Sequence, residues 1–202
     1  MRIAVDHSPA ILKTAARYFA RKPFHEVHMD DVADACGIAK GTIYRHYPNK
    51  EALFLAITLD WMDRLAAELR KAARRPLGAV ERLEAMVVSV AVQYRKQRDF
   101  FEVMQREELN GGRSVHPERL RKREVLRDAF AEVIREGQRA GELRRFDPTV
   151  AADLLLGMIR SQLRFGDPKQ SPEALASRVL DAYLNGLASR RRRTSHQGDA
   201  RA

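Results

Sequence analysis

Between Asp30 and Lys50 the sequence reads DDVADACGIAKGTIYRHYPNK, and its apolar spacing admits few backbone arrangements. Val32, Ala33 and Cys36 fall on one side of a short helix, while Ile43 and Tyr47 form an i, i+4 pair on a second. Ala33 is small where another helix must cross closely. Gly37 can take the left-handed conformation that ends the first helix, and Ile38 plugs the turn into the core. Two short helices crossing at a tight turn are a helix-turn-helix. Lys40, Gly41, Thr42, Tyr44, Arg45 and His46 then lie at the start and on the outer face of the second helix. A cation, hydroxyls, an imidazole and a polar-tipped aromatic are the groups that contact phosphates and base edges in a major groove.

The rest of the chain reads as helix. Ser or Asp followed by Pro supplies an N-cap side chain and then a residue whose missing N–H costs nothing at the first helical position. Ser8-Pro9, Asp147-Pro148 and Ser171-Pro172 carry this signal, His116-Pro117 a weaker version, and Asn49 caps a further start. Ile11, Leu12, Ala15, Ala16 and Phe19 make one buried stripe. Leu53, Ala56, Ile57, Trp61, Leu65 and Leu69 make another, on a helix from Asn49 to about Arg75 that is long enough to bridge two units. Further stripes predict helices around Leu83 to Tyr94, Phe100 to Asn110, and Pro117 to Ala140 with Gly141 as its stop. The last two run from Pro148 to Phe165 and from Pro172 to Ser189, and their stripes are wider than one intrachain neighbour needs. The fold class is therefore all-α: a helix-turn-helix head over residues 1–48, a helical bundle over 49–189, and a disordered basic tail over 190–202.

Composition narrows the function classes. The 37 basic and 27 acidic residues give a net charge of +10, which suits a polyanion without choosing among polyanions. No apolar run is long enough to span a membrane, and the amino terminus, MRIAVDHSPA, lacks a secretory segment, so the chain is expected in the cytoplasm with no membrane partner. The single cysteine, Cys36, forbids an internal disulfide and reads as a small buried hydrophobe. The histidines show no close metal-ligand spacing, no nucleophile motif or phosphate-cradling loop is present, and nothing calls for a cofactor. An enzyme is the least supported class.

The block from Ile11 to Phe54, through AARYFARKPF and DDVADACGIAKGTIYRHYPNKEALF, resembles the DNA-binding domain of TetR/AcrR-family transcriptional regulators. The resemblance covers about the first quarter of the chain, and it is specific because one string joins the turn, the second helix and the start of the next. It implies a homodimeric repressor that a small-molecule effector releases from operator DNA. It also implies that Thr42 and Tyr44 contact phosphate or base, that Lys40 and His46 face the groove, that Lys50 clamps the backbone, and that Arg45 reads bases. His28 departs from the family's usual Thr or Ser at the cap of the first motif helix. It is either a poorer cap or a pH-sensitive phosphate contact, and it stays among the contact candidates.

A two-fold dimer formed through the last two helices would present two recognition helices to successive major grooves of double-stranded DNA. The operator is then a palindrome with half-sites about 34–36 Å apart, or a multiple of that. For the effector, Trp61, Met86, Tyr94, Phe100, Phe101, Met104, Phe130 and Met158 are the candidate apolar lining, although aromatic and Met residues at helical spacing are equally ordinary core. Two competing readings remain. One is a ligand-independent architectural DNA binder that coats DNA through its positive charge, and the other an all-α protein–protein module without DNA affinity.

Overall fold

The computed structural model describes residues 8–98, 100–101 and 116–186. Eight α-helices and one 3-10 turn make up the regular structure among them, with no strand. Helices α1 (Ser8–Arg21), α2 (Met29–Ala35) and α3 (Lys40–His46) form the head, with the 3-10 turn Phe24–Glu26 between α1 and α2. Helices α4 (Lys50–Ala73), α5 (Ala79–Lys96), α6 (Pro117–Ala140), α7 (Pro148–Phe165) and α8 (Pro172–Asn185) follow.

The helix starts form as the side chains dictate. Asn49 Oδ1 accepts from the Ala52 N–H at 2.8 Å, Asp147 Oδ1 from Thr149 and Val150, and Ser171 Oγ from Ala174 at 3.1 Å, so each satisfies backbone donors that the first turn leaves open. His116 does the same for Glu118 at 3.3 Å. The α2–α3 turn has the expected left-handed glycine: Gly37 has φ of 66° and the Ile38 N–H reaches back to the Ala33 carbonyl at 3.1 Å, which seals the end of α2. One end differs from expectation. The last helix stops at Asn185 rather than at Ser189, because Gly186 turns to a φ of 69° that carries the backbone out of the helix. Residues 187–189, the 102–110 part of the predicted short helix and the predicted basic tail lie outside the described residues.

Two apolar cores result, and α4 enters both. In the head, Ile11, Ala15 and Phe19 of α1 meet Val32 and Ala33 of α2, Ile43 of α3, and Leu53, Phe54 and Ile57 of α4. In the body, Met62, Leu65 and Leu69 of the same helix meet Leu83, Met86, Val87 and Ala91 of α5, Phe130 and Ile134 of α6, Leu155 and Ile159 of α7, and Val179 and Leu180 of α8. Burying one such Leu or Phe side chain contributes about 1.5–3 kcal/mol, so each core holds its own helices together. Where α4 passes between the cores, the buried Thr58 hydroxyl donates to the Phe54 carbonyl at 3.0 Å, which meets its hydrogen-bonding need inside the helix.

The seam between the cores is aromatic. Phe19, Phe24 and Phe54 pack with ring centroids 5.1–5.6 Å apart, and Phe54 meets Phe100 at 5.1 Å. Phe101, the next residue, sits edge-on to Trp61 at 4.3 Å and stacked on Tyr94 at 5.2 Å. Adjacent residues thus point into different neighbourhoods. Phe100 belongs to the head core, although it follows α5 of the body in the chain.

Candidate nucleic-acid interface

Helix α3 is held by a few inward side chains, which leaves the others free to face outwards. Ile43 is fully buried, and Tyr47, at the C-cap, is nearly so. On the outer side Lys40, Gly41, Tyr44, Arg45 and His46 are exposed and Thr42 is half-buried. Gly41 occupies an open position: a Cβ added there would meet no atom within 4 Å. Gly in a helix costs about 0.8–1.0 kcal/mol against Ala, and no contact among the described residues accounts for it. His46 lies against Tyr47 with ring centroids 6.2 Å apart.

Three of the candidates have partners within the head. Lys40 Nζ donates to Asp30 Oδ2 of α2 at 2.7 Å, and the Tyr44 hydroxyl lies 3.5 Å from the other oxygen of the same carboxylate. Asp30 thereby raises the Lys40 pKa, by hydrogen bond first and then by charge. Lys50 is half-buried and donates to the Phe24 carbonyl at 2.9 Å and the His25 carbonyl at 3.2 Å, with its ammonium 4.7 Å from the Phe24 ring centroid. It therefore clamps the 3-10 turn to the start of α4. His28 stands at the N-cap of α2, exposed, and its imidazole makes no capping bond. Cys36 is half-buried, packed against the head core with Sγ 4.0 Å from the Ala10 carbonyl.

Nothing local in the sequence marks Asp30 as a site residue. The acidic pair Asp30-Asp31 in the first turn of α2 is ordinarily explained by the helix dipole, and only the crossing of α2 over α3 brings Asp30 to Lys40.

The candidate effector residues are more scattered. Trp61, Tyr94, Phe100 and Phe101 gather at the seam. Met86 and Phe130 are fully buried within the body core, Met158 is half-buried elsewhere, and Met104 lies outside the described residues. Two polar atoms at the seam are buried without a hydrogen-bond partner among the described residues: the Trp61 Nε1 donor and the Gln97 Oε1 acceptor. A separate cavity of about 600 Å³ opens between the ends of α6, α7 and α8, lined among others by Gln138, Arg144, Phe146, Leu154, Met158 and Tyr183. Gln138 Nε2 holds its rim by donating to the Arg144 and Phe146 carbonyls at 3.1 and 2.8 Å. Burial raises the Tyr183 pKa while Arg144 opposes the shift, and the Tyr183 hydroxyl donates to the Ala151 carbonyl at 3.0 Å.

Sequence comparison decides the family. Residues 11–57 match the model described as bacterial regulatory proteins, tetR family, and residues 76–187, more than half of the chain, match that of the tetracyclin repressor-like C-terminal domain. The chain belongs to the TetR family. Among curated members, the regulator UidR of Escherichia coli K12 is 34% identical over 80 residues, 40% of this chain and 39% of UidR. The activator FasR of Mycolicibacterium smegmatis is 32% identical over 77 residues, 38% of this chain and 35% of FasR. The chain thus aligns with less than half the length of these relatives.

Solved structures extend the likeness along the chain. The regulator PfmR of Thermus thermophilus is 27% identical with a TM-score of 0.72, covering 89% of this chain and 99% of PfmR. FadR of Bacillus subtilis, solved with stearoyl-CoA, is 21% identical with a TM-score of 0.74 over 88% of this chain and 98% of its own. AibR, solved with isovaleryl coenzyme A and operator DNA, is 24% identical with a TM-score of 0.68 over 89% and 98%. The last two share the fold. Among the described residues no helix is long and apolar enough to cross a membrane.

Proposed function

We propose that this TetR-family protein is a sequence-specific DNA-binding repressor that works as a homodimer and leaves a palindromic operator when a small molecule binds its body. The observation that carries the reading is the outer face of α3, where Gly41, Tyr44, Arg45 and His46 are exposed on a helix anchored from behind by Ile43 and Tyr47. Gly41 lets a phosphodiester backbone approach closely. Arg45 supplies a bidentate fork that matches guanine O6 and N7, worth about 1–3 kcal/mol of discrimination. His46, Thr42 and Tyr44 supply the surrounding phosphate and base contacts.

The dimer forms through α7 and α8, whose outer face leaves Leu154 55% and Phe165 76% exposed, with Val150 and Leu184 beside them. Apolar side chains gathered so on adjacent helices fit a partner's surface better than water. The effector acts at the aromatic seam. A ligand that meets the unpartnered Trp61 Nε1 and Gln97 Oε1 displaces Phe101, and Phe100 moves with it out of the head core. Its power to release DNA equals its differential affinity for the two arrangements. The cavity beside Arg144 favours a second location for the same effector, since it already has room and a cation for an anionic group. Acyl-CoA thioesters are suitable first probes because two proteins of this fold were solved with them.

Binding-site selection tests the reading: purified protein, random duplexes, about 150 mM salt and no added ligand, followed by sequencing of the retained pool. A short enriched palindrome is expected. Strong retention without a motif would establish architectural binding instead, and no retention of any duplex would contradict DNA reading.

A further inference from the structure

We propose that Asp30 is a specificity-determining residue of the DNA interface: its single carboxylate positions Lys40 and Tyr44 of the recognition helix and repels phosphates that are not in register. This rests on the DNA-binding reading above. Lys40 Nζ lies 2.7 Å from Asp30 Oδ2 and the Tyr44 hydroxyl 3.5 Å from Oδ1, so one acidic group of α2 reaches two side chains a helical turn apart on α3. The side chains of Lys40 and Asp30 are 61% and 43% exposed. An ion pair so exposed adds about 0–1 kcal/mol to stability, and the place of Asp30 in the first turn of α2 adds a similarly small amount through the helix dipole.

Its effect falls on binding. An ammonium on a flexible four-carbon stem carries about 2 kcal/mol of rotamer entropy, so a free Lys40 would meet any phosphate within reach on any duplex. Held by Asp30, it sits at one place beside Tyr44, and an approaching phosphate must either match that place or displace a carboxylate. The charge of Asp34 also favours the protonated form of Lys40. On a duplex in register, Lys40 and Tyr44 are presented already oriented. Elsewhere the Asp30 charge cancels the attraction of the lysine, and the large positive charge of the chain adds less to indiscriminate binding.

Asp30→Asn keeps the shape and removes the charge. The test compares wild type, Asp30→Asn and the double variant Asp30→Asn/Lys40→Met for affinity to the selected duplex and to a random duplex across a salt series, with thermal unfolding recorded for each. Asp30→Asn is expected to bind random duplex about fivefold more tightly near 150 mM salt, with a salt slope steeper by about one, the signature of one more neutralised phosphate. Its ratio of selected-to-random affinity falls accordingly, and the double variant loses the added slope. If wild type prefers its selected duplex but Asp30→Asn shows the same ratio and slope, or if the double variant keeps the steeper slope, the proposal is overturned. A wild type without any preferred duplex would instead overturn the DNA-reading function on which it rests.

Discussion

The head exposes polar side chains at fixed spacing, with Lys40, Tyr44 and Arg45 on one short helix, whereas α7 of the body leaves large apolar side chains, Leu154 and Phe165, outside as well. Both regions bury Leu, Ile and Phe in much the same way, so the difference lies in what each leaves outside. A polar face of fixed geometry addresses a rigid, charged partner such as duplex DNA. An apolar face addresses another protein surface. Helix α4 and the pair Phe100-Phe101 belong to both regions, and through them the state of one can reach the other.

Head and body are separate units only if their two cores can open independently. Phe19 and Phe130 are each fully buried, one per core, and truncating either to Ala costs about 3–5 kcal/mol. In Phe19→Ala, amide exchange protection is expected to fall in α1 to α3 and to persist in α6 and α7. Uniform loss along the chain would merge head and body. Next in size is the outer face of the body. Leu154→Glu places a charge where the proposed dimer requires an apolar contact, and sedimentation is expected to show folded monomers with operator affinity down at least a hundredfold. A variant that stays dimeric would put the interface elsewhere.

Smaller effects sharpen what the head does. Arg45→Ala is expected to lose about 1–3 kcal/mol of preference at one base pair in each half-site while other positions keep theirs, as read from repeated site selection. A uniform drop in affinity would favour architectural binding. Gly41→Ala separates folding from binding: the helix gains up to about 1 kcal/mol of stability, measured by denaturant unfolding, while operator affinity decreases because the new Cβ stands where the backbone of DNA approaches. Equal or tighter DNA binding would mean that nothing approaches Gly41.

Much of this fold could be read in the sequence because its boundaries are written in side chains with local effects. Asn49, Asp147 and Ser171 cap helices through backbone donors two or three residues away, and Gly37 ends α2 through its own conformation. The face of α3 was readable for the same reason, since Ile43 and Tyr47 fix which side turns inward. What stayed hidden depends on contacts between distant residues. Asp30 meets Lys40 only through the crossing of α2 and α3, and the Lys50 ammonium meets the Phe24 and His25 carbonyls only after α1 has folded back onto α4. Phe100 and Phe101 read alike in the sequence, as candidate effector lining or ordinary core, although they serve different neighbourhoods. Apolar periodicity records that a residue is buried and not which neighbours bury it, which is also why Met86 and Phe130 looked as eligible for an effector site as Trp61.

Release of DNA by an effector in the body depends on communication between the two cores through the aromatic seam, and Trp61, the single tryptophan of the chain, lies within that seam. Its fluorescence should be followed while the selected operator duplex is titrated into wild type and into Phe100→Leu, which keeps an apolar side chain but removes the ring that meets Phe54. Coupling through the seam predicts a saturable change in Trp61 emission for wild type that is lost or strongly reduced in Phe100→Leu, although that variant still binds the duplex. An emission unmoved by DNA in wild type, or moved equally in both proteins, would contradict it.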